Sequence, residues 1–137
     1  MINRAVAGVT GTTALHTCFG YAHVVHQRPD GYPFLAELAE AEVEQISVEA
    51  AQQGVDLAIL DRVPAKQFVV GVIDLADDSP VETVETVVGR IRAALGHVPP
   101  DRLLLAPDCG MKYLPRATAF AKLQVMVEAA TLVREQL

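Results

Sequence analysis

The feature that most constrains this chain is an alternation of short β-rich apolar runs with longer segments of helical or mixed pattern. The runs occupy residues 12–20 (TTALHTCFG), 45–50 (QISVEA), 67–75 (QFVVGVIDL) and 102–107 (RLLLAP). Their near-continuous Val, Ile and Leu predicts strands buried on both faces. Strands that alternate with helices run parallel and are joined by crossovers. Two architectures satisfy the pattern: a small open doubly wound sheet, or half of an eight-stranded β/α barrel. A whole barrel takes about 250 residues, and this chain has 137. The opening favours the half-barrel, because residues 2–7 (INRAVA) read as the last turns of a helix that runs at once into a strand. That is the pattern of a chain cut from something longer.

The intervening segments carry helical signals. Residues 33–43 (PFLAELAEAEV) set apolar side chains at helical spacing with carboxylates on the other face. A shorter helix is expected over 55–62. Ser79 in the cap position, Pro80 in the first helical position and Glu82 three residues after the cap form an N-terminal signature. A helix is therefore expected from there to Leu95, stopped by Gly96 with Pro99 and Pro100 beyond. A last helix, over about 115–135, would bury a stripe of Leu123, Met126, Val127, Ala130 and Val133. No linker or low-complexity segment interrupts the chain, so residues 1–137 read as one domain.

Composition excludes several functions. With 51% hydrophobic and 20% charged residues the chain is globular rather than disordered. A formal net charge of −6, with eleven scattered basic residues, argues against nucleic-acid binding, which needs clustered Lys and Arg. No apolar stretch approaches the ~20 residues of a membrane helix, and the N-terminus lacks a signal-peptide pattern. Two cysteines, Cys18 and Cys109, make no disulfide framework. They fit reduced thiols in the cytoplasm.

Those cysteines fall where chemistry is expected. His16 and Cys18 are two apart in one strand, so both side chains point the same way. Glu49 ends the second strand, and Cys109 lies in the turn after the fourth, in APDCGMK. In a parallel β/α arrangement the strand C-termini meet at one face, which brings His16, Cys18, Glu49 and Cys109 together. Imidazole, thiolate and carboxylate are zinc ligands. Two thiolates and a carboxylate would outweigh the metal's charge by one, giving a poor Lewis acid for hydrolysis but a centre able to hold a substrate thiol as thiolate. Each residue alone also fits a plainer role: a buried thiol beside a packed histidine, a capping carboxylate, a small turn residue.

The segments HTCFG, ISVEA, GVIDLADDSPVETVE and APDCGMKYLPRATAFAKLQVMVEAATLVRE resemble successive blocks of the C-terminal catalytic barrel of the cobalamin-independent methionine synthases. The wider family includes archaeal-type methionine synthases and epoxyalkane–coenzyme M transferases. The resemblance runs from about residue 2 onward and is most specific around PDCG. It implies four βα units, the C-terminal half of a TIM-type (β/α)8 barrel. It also implies a zinc ion held by His16, Cys18, Glu49 and Cys109, and transfer of a methyl group from a methyltetrahydrofolate-like donor to a homocysteine-like thiol.

Two departures qualify this implication. The long enzymes carry a histidine implicated in catalysis after the third strand, in a segment like GVYDIHS. Here the segment is GVIDLAD, with Ala76 in that place and Asp74 retained. Asp74 is thus the candidate catalytic residue, with a structural hydrogen bond as the alternative. His23 and His26 sit in a loop, 21–32, that looks longer than in the long enzymes; they could compensate or be plain loop residues. Lys112 and Arg116 could meet an anionic substrate group or be solvated charges, and His97 reads as a loop residue. The family's first half-barrel, which supplies much of the substrate surface, is the second departure. Its absence points to a homodimer or to pairing with an N-terminal half-barrel. The alternatives in function are a thiol alkyltransferase with another donor or acceptor, and an inactive half-barrel that only binds metal or assembles.

Overall fold

The computed structural model describes residues 1–20, 25, 31–52, 55–76 and 79–137. His23 and His26, and most of the 21–32 loop, lie outside the described residues. Among those described, four strands form one parallel sheet: β1 (Ala14–Thr17), β2 (Gln45–Val48), β3 (Gln67–Ile73) and β4 (Leu103–Pro107). Three α-helices accompany them: α1 (Ile2–Val6), α2 (Val84–Leu95) and α3 (Arg116–Arg134).

The strand order is β1-β2-β3-β4, the order of the sequence. A doubly wound sheet reverses its order at a switch point, whereas a barrel wall adds each strand beside the last. Burial agrees with a barrel wall. Ile46, Val48, Phe68, Val70 and Val72 are all buried, and they form one core with Val87, Ile91 and Ala94 of α2 and Ala129 and Val133 of α3. The other face carries Ala14, His16, Gln45, Ser47, Gln67, Val69 and Leu104, exposed or half-buried. The sheet is covered on one side and remains open, so the expectation of strands buried on both faces is corrected. The pattern Gln-Ile-Ser-Val in β2 alternates as a one-sided strand should, and a hydrogen bond of 3.0 Å joins Gln45 to Gln67 on the open face.

The helical expectations are met unevenly. Residues Leu35–Glu40 and Leu57–Arg62 form 3-10 turns rather than α-helices. α2 begins at Val84, with Thr83 as its cap: the Thr83 hydroxyl accepts from the Thr86 amide at 3.2 Å. The cap is therefore not Ser79, because Ser79, Pro80 and Glu82 are engaged elsewhere. Lys122, fully buried on α3, donates to Asp74 O at 3.1 Å, Ser79 Oγ at 3.2 Å, Pro80 O at 2.7 Å and Glu82 Oε2 at 3.0 Å. This ammonium gathers the loop after β3 around itself, and a buried charge needs such partners. It also sets the face that α3 turns inward. Lys122, Ala129, Ala130 and Val133 are buried, while Leu123 and Val127 of the expected stripe are 37% and 61% exposed. An apolar groove of about 350 Å³ runs beside the free edge of β4, lined by Leu95, Leu104, Met126, Val127 and Leu137 among others. Among the described residues, no helix is long and apolar enough to cross a membrane.

Candidate metal centre

The strand C-termini place the four candidate ligands. His16 lies in β1, and Cys18 follows one residue after its end. They share the open face, while Thr17 between them turns inward and donates to Ser47 O at 2.7 Å. His16 stands in register with Ser47, and its Nδ1 is 2.9 Å from Ser47 Oγ. Glu49 follows β2 directly and is 1% exposed. Cys109 comes two residues after β4. One ligand atom from each of these four side chains lies within 4.8 Å of all the others. The two sulfurs are 3.6 Å apart. Tetrahedral zinc with bonds of ~2.3 Å to sulfur separates two sulfurs by about 3.8 Å, so both the donor chemistry and this spacing fit the metal.

The surroundings of Cys18 disfavour a bare thiolate. Loss of solvent, first, and then the hydrogen bond with Glu49 push the Cys18 thiol from its ordinary 9.0 up to about 12. The Gly20 amide, 3.2 Å from Cys18 Sγ, works the other way. A cation among these groups would convert mutual repulsion of two thiolates and a carboxylate into coordination.

Two buried side chains, Tyr32 and Asp108, brace this arrangement in roles that no local sequence motif marks. The Tyr32 hydroxyl accepts from the Glu49 amide at 2.7 Å and lies 3.2 Å from both Thr17 O and Glu49 O, to one of which it donates. It thereby ties the ends of β1 and β2 together. Its ring stacks on Phe19 at 4.4 Å, and burial holds its phenol well above the ordinary range. Asp108 directly precedes Cys109 in the turn after β4, where an aspartate ordinarily shapes the turn itself. Instead its carboxylate accepts from the amides of Ala50, Ala51 and Gln52 at 3.0, 3.0 and 2.7 Å, across the sheet. Burial raises its pKa, and those three amides oppose the rise. Ser47, which orients His16, is likewise unmarked by any local motif. The signal that could have found it is its place two residues before Glu49, on the same side of the strand.

The remaining candidates are placed as follows. Asp74 uses Oδ1 to accept from the Ala76 amide at 2.8 Å, and its own amide donates to Glu82 Oε1 at 2.7 Å. Its carboxylate shapes the loop after β3 and is not part of the four-residue cluster. Lys112 lies over the Tyr113 ring at 4.8 Å, and Arg116 is exposed at the start of α3. His97 is a loop residue after α2, with Nδ1 3.2 Å from Asp61 Oδ2. It precedes β4 and so sits at the opposite end of the sheet.

Comparison with known proteins gives a consistent result. The family described as "Cobalamin-independent synthase, Catalytic domain" matches residues 1–132. Methionine synthase from Pyrococcus abyssi is 34% identical over 138 residues, covering 99% of this chain and 38% of that protein. Methionine synthase from Saccharolobus islandicus (strain Y.G.57.14) is 37% identical over 139 residues, covering 99% and 39%. A B12-independent methionine synthase from Shewanella sp. W3-18-1, solved in complex with selenomethionine, superposes with a TM-score of 0.88 at 28% identity, over 98% of this chain and 42% of that one. This chain thus spans well under half the length of these relatives. With its sequential parallel sheet and the match over nearly all of its length, the chain belongs to the cobalamin-independent methionine synthase catalytic-domain family.

Proposed function

We propose that this chain carries the zinc centre of a thiol methyltransferase of methionine synthase type, with His16, Cys18, Glu49 and Cys109 as the metal's ligands. The observation that carries this reading is the convergence of four donor side chains within 4.8 Å at the strand C-termini. Zinc bound there would supply a coordinated, deprotonated substrate thiol as nucleophile. The chain's own residues prepare that chemistry. Ser47 holds the His16 ring; with the proton on Nδ1 donated to Ser47, the imidazole keeps a lone pair on Nε2. Tyr32 fixes Glu49 against β1. The two thiols serve as ligands only while reduced, which suits a reducing compartment such as the cytoplasm.

In this reading the acceptor is a homocysteine-like thiol and the donor a methyltetrahydrofolate-like compound. The selenomethionine bound by the Shewanella enzyme, an analogue of the thioether product, supports such an acceptor. Sulfur attacks the methyl carbon, the carbon–nitrogen bond to the pterin breaks, and the pterin nitrogen gains a proton. Asp74, at the end of β3, is the candidate in this chain to touch the donor. Ala76 favours one second reading, a related alkyl transfer to a thiol from a donor whose leaving group is protonated differently, as in an epoxyalkane–coenzyme M transferase. The open face and free edges of the sheet suit a site completed by an N-terminal half-barrel or by a second copy of the chain. A metal-binding or assembly module without turnover is the outcome if neither pairing occurs.

Zinc content of the purified chain tests the centre. One zinc per chain is expected. Cys109→Ser should lose it while keeping most of the fold, because serine is similar in size. Full zinc stoichiometry in both Cys18→Ser and Cys109→Ser would refute the ligand assignment.

A further inference from the structure

We propose that Asp108 is a positioning residue of the metal centre: it sets the separation of Glu49 and Cys109, and Gly71 is the notch that admits it. This inference rests on the zinc reading above and extends it to residues that touch no ligand atom. Glu49 and Cys109 follow β2 and β4, which are not neighbours; β3 lies between them. Ladder hydrogen bonds end with the strands and do not by themselves hold two such loops at a metal's bite distance. Asp108 spans the gap. It is the residue before Cys109 and is 2% exposed. Its carboxylate receives three amides from residues 50–52, which directly follow Glu49. The loop after β4 is thereby tied to the loop after β2 by three charge-assisted bonds, at the two positions adjoining ligands.

The path over β3 is narrow. A Cβ on Gly71 would lie 2.0 Å from Asp108 Oδ1 and 2.8 Å from Asp108 Cα. No side chain could occupy Gly71 without moving the bridge. Gly71 is the last β3 residue in plain register with β4, paired with Ala106, before a register shift leads to the Ile73–Pro107 pair. Such bulges re-aim the chain next to functional sites, and here the irregularity turns Asp108 towards β2. The chemistry requires a carboxylate. Its two oxygens accept only, and together they serve three N–H groups. An amide in that place has one accepting oxygen and would face an N–H with its own NH2.

Cobalt(II), whose absorption reports ligand type and geometry, is the probe, bound to the full 137-residue chain. Wild type should show thiolate-to-cobalt charge-transfer bands and tetrahedral ligand-field absorption. Asp108→Asn should weaken metal binding about 10–100-fold, the loss typical when a partner that orients metal ligands is removed, and should alter the ligand-field bands. Gly71→Ala, approaching the bridge from the opposite side, should shift both in the same direction. A wild-type chain without charge-transfer bands would sink the zinc reading itself. If wild type binds cobalt normally and both variants keep its affinity and spectrum, with only the metal-free melting temperature lowered, Asp108 merely stabilises the fold and the proposal is overturned. Failure of both variants to fold would assign Asp108 to the fold in the same way.

Discussion

Lys122→Met is the perturbation most closely constrained by the structure. The ammonium is fully buried and has four acceptors: Asp74 O, Ser79 Oγ, Pro80 O and Glu82 Oε2. Methionine fills similar space, so the change removes the charge and its hydrogen bonds with little loss of packing. Glu82, whose side chain is 6% exposed, then stays buried as a carboxylate. It keeps the Asp74 amide at 2.7 Å and the Arg90 guanidinium at 3.4 Å, which limits the damage. Breaking a buried pair from one side costs about 3–5 kcal/mol, and Arg90 places this case near the lower value. Against a whole-domain stability of about 5–15 kcal/mol, that lowers the melting temperature by roughly 10 °C. Urea unfolding with an unchanged slope gives the free energy directly. Lys122→Met with Glu82→Met should recover part of the loss, because the double change also removes the stranded carboxylate. A loss below about 1 kcal/mol for the single variant, or strict additivity in the double variant, would refute the account of Lys122 as the buried clamp of the β3 loop.

Three further outcomes are expected. Because the Cys18 thiol is raised to about 12 in the metal-free chain, zinc must displace its proton. Apparent affinity should therefore rise with pH, about tenfold per unit for each proton displaced; a flat profile in competition titrations between about pH 6 and 8 would contradict this. The chain alone should show little or no turnover of methyltetrahydrofolate with homocysteine, since it spans 38% of the Pyrococcus relative and has Ala76 after β3; robust methionine formation would refute that. The apolar groove beside β4 should drive association, each 100 Å² covered contributing about 2.5 kcal/mol, so a dye-negative monomer across a light-scattering dilution series would count against pairing at that edge.

The parts of this molecule legible in its sequence are those decided by local composition. Short β-rich apolar runs mark the four strands found among the described residues, and parallel topology brings His16, Cys18, Glu49 and Cys109 to one end of the sheet. What was not legible depends on partners far along the chain. Ser79, Pro80 and Glu82 form a sound local capping signal, yet Lys122, forty residues later, takes all three and α2 starts at Val84 instead. The same buried cation turned the inner face of α3 away from Leu123 and Val127. Residues 33–43 carry helical periodicity, but the described backbone forms a 3-10 turn at Leu35–Glu40, in which Leu35 is buried, while Phe34 just before it is exposed. The reach of Asp108 depends on a glycine thirty-seven positions earlier and on loop 50–52, neither of which a local motif reports.

These long-range bonds share a physical cause. At the C-terminal end of a parallel sheet the backbone runs out of ladder partners, and its polar groups must be satisfied some other way. In this chain Tyr32 serves Thr17 and Glu49, Asp108 serves residues 50–52, and Lys122 with Glu82 serves Asp74 and Pro80. The opposite end meets the same need with Lys66, which donates to Ala41 O and Val43 O, and Arg102, which donates to Pro64 O and Lys66 O. There the bonds only close the fold. At the C-terminal end they fall on residues beside the candidate ligands, so the groups that satisfy the backbone also fix the ligands' positions. With a metal held by those four side chains, stability and metal affinity would be coupled at that end of the sheet and independent at the other, a division that follows from where the four donor side chains lie.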